Sequence, residues 1–168
     1  MAYLTVQINS SHKKNNFNCG KNLLDNYLHK QAKQDVKRKL TVCFILADED
    51  NIVQGYYTLS NAGIPLNELP EDLRKKYPKS YRNLPATLVG RLAVDQSFKG
   101  RGLGALLLMD ALKRSFEIST TNIGSMAVVV DPLDDDAVRF YKKYGFIALP
   151  DSGKMFLPMA TISKIFNQ

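Results

Sequence analysis

The sequence is poor in the residues that define several classes of protein. Its 168 residues include two cysteines, two histidines and no tryptophan. Cys19 and Cys43 are too few for a disulfide scaffold or a cysteine-based zinc site, and His12 and His29 cannot form a metal centre on their own. No apolar run approaches the roughly 18 residues that a membrane span requires. The composition therefore predicts a protein with neither a metal nor a membrane segment.

Length and the first residues predict a single cytoplasmic domain. At roughly 100–200 residues per domain, residues 1–168 have the length of one domain, and no repeat, linker or low-complexity tract divides them. The first seven residues lack the charged-then-apolar order of a secretory signal. With so few cysteines, a reduced cytoplasmic compartment is the expected location.

Positive charge is in excess and is unevenly placed. The formal net charge is +7 and the pI is near 9.4. Eight basic residues and only two acidic residues precede position 41. A fixed cationic surface attracts polyanions, but the same residues can form the solvated face of a helix. The charge alone leaves both interpretations open.

The pattern of apolar residues predicts an antiparallel first half and a second half in which strands alternate with helices. Strands are expected over 5–8, 41–47, 52–60, 86–94 and 125–130, with another beginning at 146. Helices are expected over 23–32, 104–116 and 136–144, with an irregular basic excursion over 65–85. The turn at 48–51 predicts an antiparallel hairpin, whereas the alternation in the second half predicts parallel neighbours. The expected fold class is α/β, a mixed sheet covered by helices.

A glycine loop joins the strand over 86–94 to the next helix. Gly100, Gly102 and Gly104 fall at alternate positions, beside Lys99 and Arg101. Glycine permits positive φ and a close approach of a ligand, and free amides at a helix N-terminus suit a diphosphate. The spacing differs from the Gly-x-Gly-x-x-Gly of dinucleotide-binding folds, and the Gly-Lys-Ser/Thr ending of a Walker loop is absent.

Two segments resemble motifs of the GNAT superfamily of N-acetyltransferases. The segment 99–104 resembles the Gln/Arg-x-x-Gly-x-Gly/Ala signature that cradles the pyrophosphate of coenzyme A, with lysine at the first position. The segment 137–146 resembles a second hallmark, a helix reading Phe-Tyr-x-x-x-Gly-Phe. The resemblance implies the GNAT fold, with a central mixed, mostly antiparallel sheet that is splayed at the acetyl-CoA slot and flanked by helices.

The resemblance narrows to toxin-type GNAT proteins of bacterial toxin–antitoxin pairs. It is carried by Phe17-Asn18-Cys19-Gly20 and by the segments 24–28, 55–60 and 89–95. Members of that group acetylate the α-amine of the amino acid on charged tRNA and so stop translation. The resemblance therefore implies acetyl-CoA as cosubstrate and aminoacyl-tRNA as acceptor. It also implies a small ribbon-helix-helix antitoxin and a homodimer.

The same resemblance assigns site residues. Contacts to acetyl-CoA are expected along the strand end and the loop, from Leu92, Ala93, Val94, Lys99, Gly100, Arg101, Gly102, Leu103, Gly104 and Ala105. Gly90 predicts a strand bulge that opens a slot for the pantetheine arm beside the strand over 125–130. The backbone N–H of Leu92 is the expected oxyanion donor. Tyr141 is the expected general acid, because a phenol is protonated at neutral pH and close in pKa to the leaving thiol.

No carboxylate is predicted to act as a general base. The acidic run Asp131, Asp134, Asp135 and Asp136 is expected to cap the helix that follows. The α-amine of an aminoacyl ester is less basic than a lysine side chain, so that part of it is neutral at pH 7 and water can take the remaining proton. Candidate contacts to tRNA phosphates are Arg91, Lys33, Lys37 and Arg38.

Three functions stay open on the sequence alone. The first is a translation-blocking acetyltransferase that acts on charged tRNA. The second is a general GNAT enzyme that acetylates a small amine, a polyamine or a protein amine. The third is a non-enzymatic nucleic-acid-binding module, against which the intact glycine loop and Tyr141 argue.

Overall fold

The structure, a computed structural model, describes residues 2–167. The strands in that range are β1 Val6–Gln7, β2 Val42–Ala47, β3 Val53–Pro65, β4 Asn83–Val94, β5 Ala127–Val130, β6 Ile147–Ala148 and β7 Met155–Pro158. The helices are α1 Asn22–Asn26, α2 Ala32–Lys37, α3 Glu71–Arg74, α4 Leu103–Thr121, α5 Asp135–Lys143 and α6 Met159–Phe166. The sheet order is β1-β2-β3-β4-β5-β7-β6. The predicted fold class, α/β with a mostly antiparallel sheet, is confirmed.

The chain forms two compact units from non-contiguous segments. One contains residues 2–60 and 89–112, and the other contains residues 61–88 and 113–167. The two long strands, β3 and β4, each contribute residues to both units. The single domain expected from chain length stays a prediction.

In the first unit, β2 and β3 form the hairpin that the sequence predicts. Val42 pairs with Leu59 and Ile45 pairs with Tyr56, in an antiparallel register. The turn is fixed by Asp48, whose Oδ1 accepts from two backbone amides at 2.9 Å. Asn51 completes it with a φ of 64°, a conformation that asparagine tolerates better than most residues. The turn residues and the apolar pattern of the two strands indicate the same hairpin, so it could be predicted from this segment of the sequence alone.

The helix predicted over 23–32 extends from α1 to α2 through a π-helical turn, Tyr27–Gln31. Tyr27, Leu28 and Ala32 are buried in one apolar cluster, as the spacing predicted. Leu23, expected on the same face, is instead 70% exposed. It lies in the first turn, where Leu24 and not Leu23 packs against the cluster.

The strand–helix alternation predicts parallel neighbouring strands in the second half of the chain. The two pairings of β7, in the second unit, are instead antiparallel. Both β5 and β6 pair with β7 in antiparallel register, Val128 opposite Leu157 and Ile147 opposite Phe156. The sequence interpretation did not include β7, a four-residue strand too short to show a clear alternation. Because β7 lies between β5 and β6, these two strands do not pair with each other, and each pairs with β7 in the antiparallel direction.

Candidate active site

A strand, a glycine loop and a helix follow one another without interruption at the end of β4. Asp95 follows the last residue of β4, and its Oδ1 accepts from the amide of Ser97 at 2.8 Å, which starts a short 3-10 turn. The first backbone bond of α4 runs from the amide of Leu106 to the carbonyl of Gly102 at 3.2 Å. The amides of residues 103–105 precede that ladder and are available to a ligand.

Two glycines in this loop have backbone angles that other residues rarely adopt. Gly100 has a φ of 80° and Gly102 a φ of 73°. A Cβ built at either position meets no atom within 4 Å in the described residues, so glycine is required there by conformation and not by crowding. Lys99 and Arg101 are exposed on the same loop, with the Arg101 guanidinium 5.3 Å from the Phe98 ring centroid. Open space, helix amides and two cations suit a diphosphate such as that of coenzyme A.

The segment before α1 is docked on the start of this loop. The amide of Asn18 donates to Oδ2 of Asp95 at 2.9 Å, and the amide of Gln96 donates to the Asn18 carbonyl at 2.8 Å. Gly20 has a φ of 90°, and a Cβ there would lie 2.4 Å from Nε2 of Gln96. Sequence reasoning assigned no role to Asn18 or Asp95, although both lie in segments that resemble the toxin-type proteins.

A second carboxylate also accepts from a backbone amide of this segment. Oδ1 of Asp25 in α1 accepts from the amide of Cys19 at 2.8 Å, and both residues are buried. Burial raises the pKa of the Cys19 thiol to about 11, so that the thiol stays protonated at neutral pH. Cys19 is therefore a packing residue, and the Asn-Cys-Gly motif positions backbone amides.

Arg91 lies on β4 and contacts the π-helical turn. Its Cζ is 3.5 Å from the ring centroid of Tyr27, a cation–π contact. Tyr27 is buried, and its hydroxyl donates to Oδ2 of Asp35 at 3.0 Å. Lys33 and Lys37 in α2 and Arg38 at its C-cap are exposed, and their contacts to tRNA phosphates stay predictions.

Tyr141 is fixed by the way in which α5 ends. The amide of Gly145 donates to the Lys142 carbonyl at 3.0 Å, and the amide of Phe146 donates to the Tyr141 carbonyl at 3.2 Å. This pair of bonds is a Schellman motif, which needs glycine in a left-handed conformation, and Gly145 has a φ of 92°. The rings of Tyr141 and Phe146 pack with centroids 5.2 Å apart. The Phe-Tyr-x-x-x-Gly-Phe spacing is therefore that of a helix stop that orients the tyrosine.

The Tyr141 side chain is 7% exposed. Burial raises the pKa of its phenol, which keeps the hydroxyl protonated throughout the neutral range. Its hydroxyl forms no hydrogen bond within residues 2–167. The Tyr141 hydroxyl proton is therefore available for donation to a bound ligand. At the other end of α5, Asp134 accepts from the amide of Ala137 at 2.9 Å, which confirms the predicted helix capping for this one member of the acidic run.

The strand residues expected to contact acetyl-CoA differ in burial. Ala93 is buried in the cluster that contains Tyr27, whereas Leu92 and Val94 are half-buried. The oxyanion role of the Leu92 amide and the bulge at Gly90 stay predictions. In the described part of the chain, no group of three or more His, Cys, Asp or Glu side chains is placed to hold a metal ion. None of the helices described is long and apolar enough to cross a membrane.

The sheet order and the glycine turn define an α/β protein whose helix begins at a loop open to an anionic ligand. Residues 17–146 match the Acetyltransferase (GNAT) family, and the chain therefore belongs to that family. The match begins at the docked segment and ends at the Schellman motif.

Three comparisons describe its similarity to known proteins. The chain is 34% identical over 134 residues to a tRNA-acetylating toxin of Mycobacterium tuberculosis (strain ATCC 25618 / H37Rv), covering 80% of this chain and 78% of the relative. A solved structure of AtaT complexed with acetyl-methionyl-tRNAfMet superposes with a TM-score of 0.88 at 29% identity, covering 96% and 98% of the two chains. A tyrosine-to-phenylalanine mutant of the AtaT toxin was solved with acetyl-CoA and the C-terminus of the antitoxin AtaR. It gives a TM-score of 0.81 at 26% identity, with 98% of each chain covered.

Proposed function

We propose that this protein transfers an acetyl group from acetyl-CoA to the α-amine of an aminoacyl-tRNA, and that it acts as the toxin of a toxin–antitoxin pair. The observation that carries this proposal is similarity over nearly the whole chain to AtaT, which was solved with acetyl-methionyl-tRNAfMet. The 34% identity to a tRNA-acetylating toxin supports the same acceptor.

The geometry of the loop supports acetyl-CoA as the donor. The amides of residues 103–105 and the cations of Lys99 and Arg101 hold the diphosphate, while the left-handed glycines leave space for it. Leu92, Ala93 and Val94 offer backbone groups to the pantetheine amides. Acetyl-CoA supplies the activated acetyl group.

The transfer needs little acid–base chemistry from the protein. The neutral α-amine attacks the thioester carbonyl, a C–N bond forms, and the C–S bond then breaks. Tyr141 donates its proton to the departing thiolate, and the amide N–H of Leu92 stabilises the oxyanion. Water takes the one proton that nitrogen loses as the amide forms, since the amine of an aminoacyl ester is weakly basic, and solvent returns a proton to the Tyr141 phenolate.

The exposed basic residues give the acceptor a surface to bind. Lys33, Lys37 and Arg38 lie on one short stretch of helix, with Arg91 on the neighbouring strand. Exposed cations of this kind can bind an RNA backbone through its phosphates. The partners that follow from the proposal are aminoacyl-tRNA, a ribbon-helix-helix antitoxin and a second copy of the chain, in the cytoplasm.

The test is transfer of radiolabelled acetyl from acetyl-CoA to a panel of aminoacylated tRNAs, with uncharged tRNA, spermidine and lysine peptides alongside. Selective labelling of charged tRNA, lost on mild alkaline hydrolysis of the aminoacyl ester, is the expected result. Labelling of spermidine or peptides alone would make the protein a general GNAT enzyme and overturn the proposed acceptor.

A further inference from the structure

The glycine loop begins where the support from the sheet ends. The amide of Asp95 still donates to the carbonyl of Gln54 in β3, at 2.8 Å. The amide of the next residue, Gln96, donates instead to the carbonyl of Asn18 at 2.8 Å. Within the described chain, the amides of the following three residues donate only to positions 95 and 96. The turn formed by residues 18–20, the docking turn, therefore supports the start of the loop from outside it.

Every amide of the docking turn has a partner. The amide of Asn18 donates to Oδ2 of Asp95 at 2.9 Å, and the amide of Gly20 donates to Oδ1 of Asn18 at 2.9 Å. Between them, the amide of Cys19 donates to Oδ1 of Asp25 in α1 at 2.8 Å. The turn cannot shift without breaking a hydrogen bond to the loop side or to α1.

The docking turn is also close to charged groups of both α1 and the loop. A Cβ at Gly20 would overlap Nε2 of Gln96, so the turn lies against that side chain. Burial has the largest effect on the Cys19 thiol and raises its pKa. The carboxylate of Asp25 raises this pKa further, whereas the ammonium of Lys99 lowers it. A residue of α1 and a residue of the glycine loop therefore act on the same turn.

The helix that carries Asp25 is itself fixed to the sheet. Tyr56 of β3 is fully buried, and its hydroxyl donates to the carbonyl of Leu24 in α1 at 2.6 Å. The same ring packs edge-to-face on Phe17, with centroids 5.6 Å apart. Phe17 directly precedes the docking turn, and Leu24 directly precedes Asp25. One tyrosine of the sheet therefore holds this segment at both ends.

We propose that Asp25 is a positioning residue for the acetyl-CoA site, and that Tyr56 anchors the helix from which it acts. Asp25 holds the docking turn, and the docking turn holds the start of the glycine loop. A loop that is already ordered binds a diphosphate without the entropic cost of ordering it. The inference rests on the proposed function, which assigns this loop to the diphosphate of acetyl-CoA.

The pair Asp25→Ala and Asp25→Asn tests the carboxylate oxygen. The alanine variant leaves the buried Cys19 amide without its acceptor, and we expect the Kd for acetyl-CoA to rise about fivefold. Isothermal titration without an acceptor measures this Kd, and kcat at saturating acetyl-CoA is expected to stay at the wild-type value. The asparagine variant keeps a side-chain oxygen that accepts the same bond, and it is expected to restore the wild-type Kd. A Kd for Asp25→Asn as weak as that of Asp25→Ala would overturn the role of this bond.

Asp48→Ala is the control, because Asp48 also accepts from backbone amides, in the β2–β3 turn. It is expected to bind acetyl-CoA with the wild-type Kd. Equal Kd values for Asp25→Ala and Asp48→Ala would overturn the positioning role.

The double variant Asp25→Ala/Asp95→Ala shows whether the effect passes through the docking turn. Because both carboxylates accept from amides of that turn, their effects are expected not to multiply, and the double variant should bind acetyl-CoA about as well as Asp95→Ala alone. A Kd raised by the product of the two single effects would mean that Asp25 acts by another route, and the inference would be wrong.

Tyr56→Phe tests the same path in a variant that keeps the packing. The ring stays on Phe17, and only the hydrogen bond to the Leu24 carbonyl is lost, so the Kd for acetyl-CoA is expected to rise about threefold. A wild-type Kd in this variant would refute the anchoring role. If the wild type itself binds no acetyl-CoA, the donor site of the proposed function is wrong. If the wild type binds it and Asp25→Ala binds it equally well, this inference alone is wrong.

Discussion

The backbone amide of Asn18 donates to Oδ2 of Asp95 at 2.9 Å, across 77 residues of sequence. The other oxygen of Asp95 accepts from the amide of Ser97 at 2.8 Å. One buried carboxylate therefore joins the segment before α1 to the turn that leads into the glycine loop. The position of the glycine loop therefore depends on Asp95, a residue that precedes the loop.

Asp95→Ala is expected to weaken acetyl-CoA binding with little change in kcat at saturation. The variant leaves two backbone amides without their acceptor, a loss of about 1–3 kcal/mol, and releases the start of the loop. We expect the KM for acetyl-CoA to rise about tenfold, equivalent to about 1.4 kcal/mol. Asp48→Ala is the matched control, because Asp48 also accepts from two backbone amides, in the β2–β3 turn. Equal KM values for the two variants would refute the supporting role of Asp95.

Gly102→Glu is expected to abolish acetyl-CoA binding. The side chain places a negative charge where a diphosphate is expected, and the left-handed backbone adds a cost of about 1–2 kcal/mol. Gly153→Glu separates the two effects, since Gly153 has a φ of 74° and equally open surroundings in another turn. Isothermal titration with acetyl-CoA should show wild-type affinity for Gly153→Glu and none for Gly102→Glu. Retained affinity in Gly102→Glu would mean that the diphosphate binds elsewhere.

Tyr141→Phe is expected to lower kcat by ~10²-fold or more while leaving the Kd for acetyl-CoA nearly unchanged. The ring and its packing on Phe146 remain, and only the proton donor is lost. Tyr144→Phe, in which the ring keeps its contact with Phe140, serves as control and should retain wild-type kcat. Single-turnover kinetics at saturating acetyl-CoA distinguish the two variants. An unchanged kcat in Tyr141→Phe would remove this residue from the mechanism.

The free energy of unfolding is expected to fall as the pH rises above 9. Burial raises the pKa of the Cys43 thiol from 9.0 to about 12, so that in this interval the thiol ionises only in the unfolded chain. Ionisation stabilises the unfolded state by about 1.4 kcal/mol for each pH unit above 9. Urea unfolding at pH 8–10 measures this slope, and Cys43→Ala should make it shallower. The Cys19 thiol, whose pKa is also raised, contributes equally to both proteins. Equal slopes for the variant and the wild type would therefore mean that Cys43 makes no contribution.

Elements with a local cause could be predicted from the sequence. Asp48 and Asn51 predict the hairpin turn, and the structure confirms it through side-chain bonds within four residues of Asp48. The ends of longer elements were predicted less well. The strand expected to end at 60 continues to Pro65, and the helix expected to end at 116 continues to Thr121. Tertiary pairing and packing extend these elements beyond what their own patterns indicate.

The candidate site likewise contains features with a local cause and features set by contacts between distant residues. The sequence alone indicated the left-handed glycine turn and the helix that carries Tyr141, because both are set by residues a few positions apart. Only the tertiary structure decided that Asn18 supports the loop, that Tyr27 lies beneath Arg91, and that β7 lies between β5 and β6. These are contacts between residues distant in sequence. Their partners are chosen by packing and hydrogen bonding in the folded chain, and no spacing within a short segment records that choice.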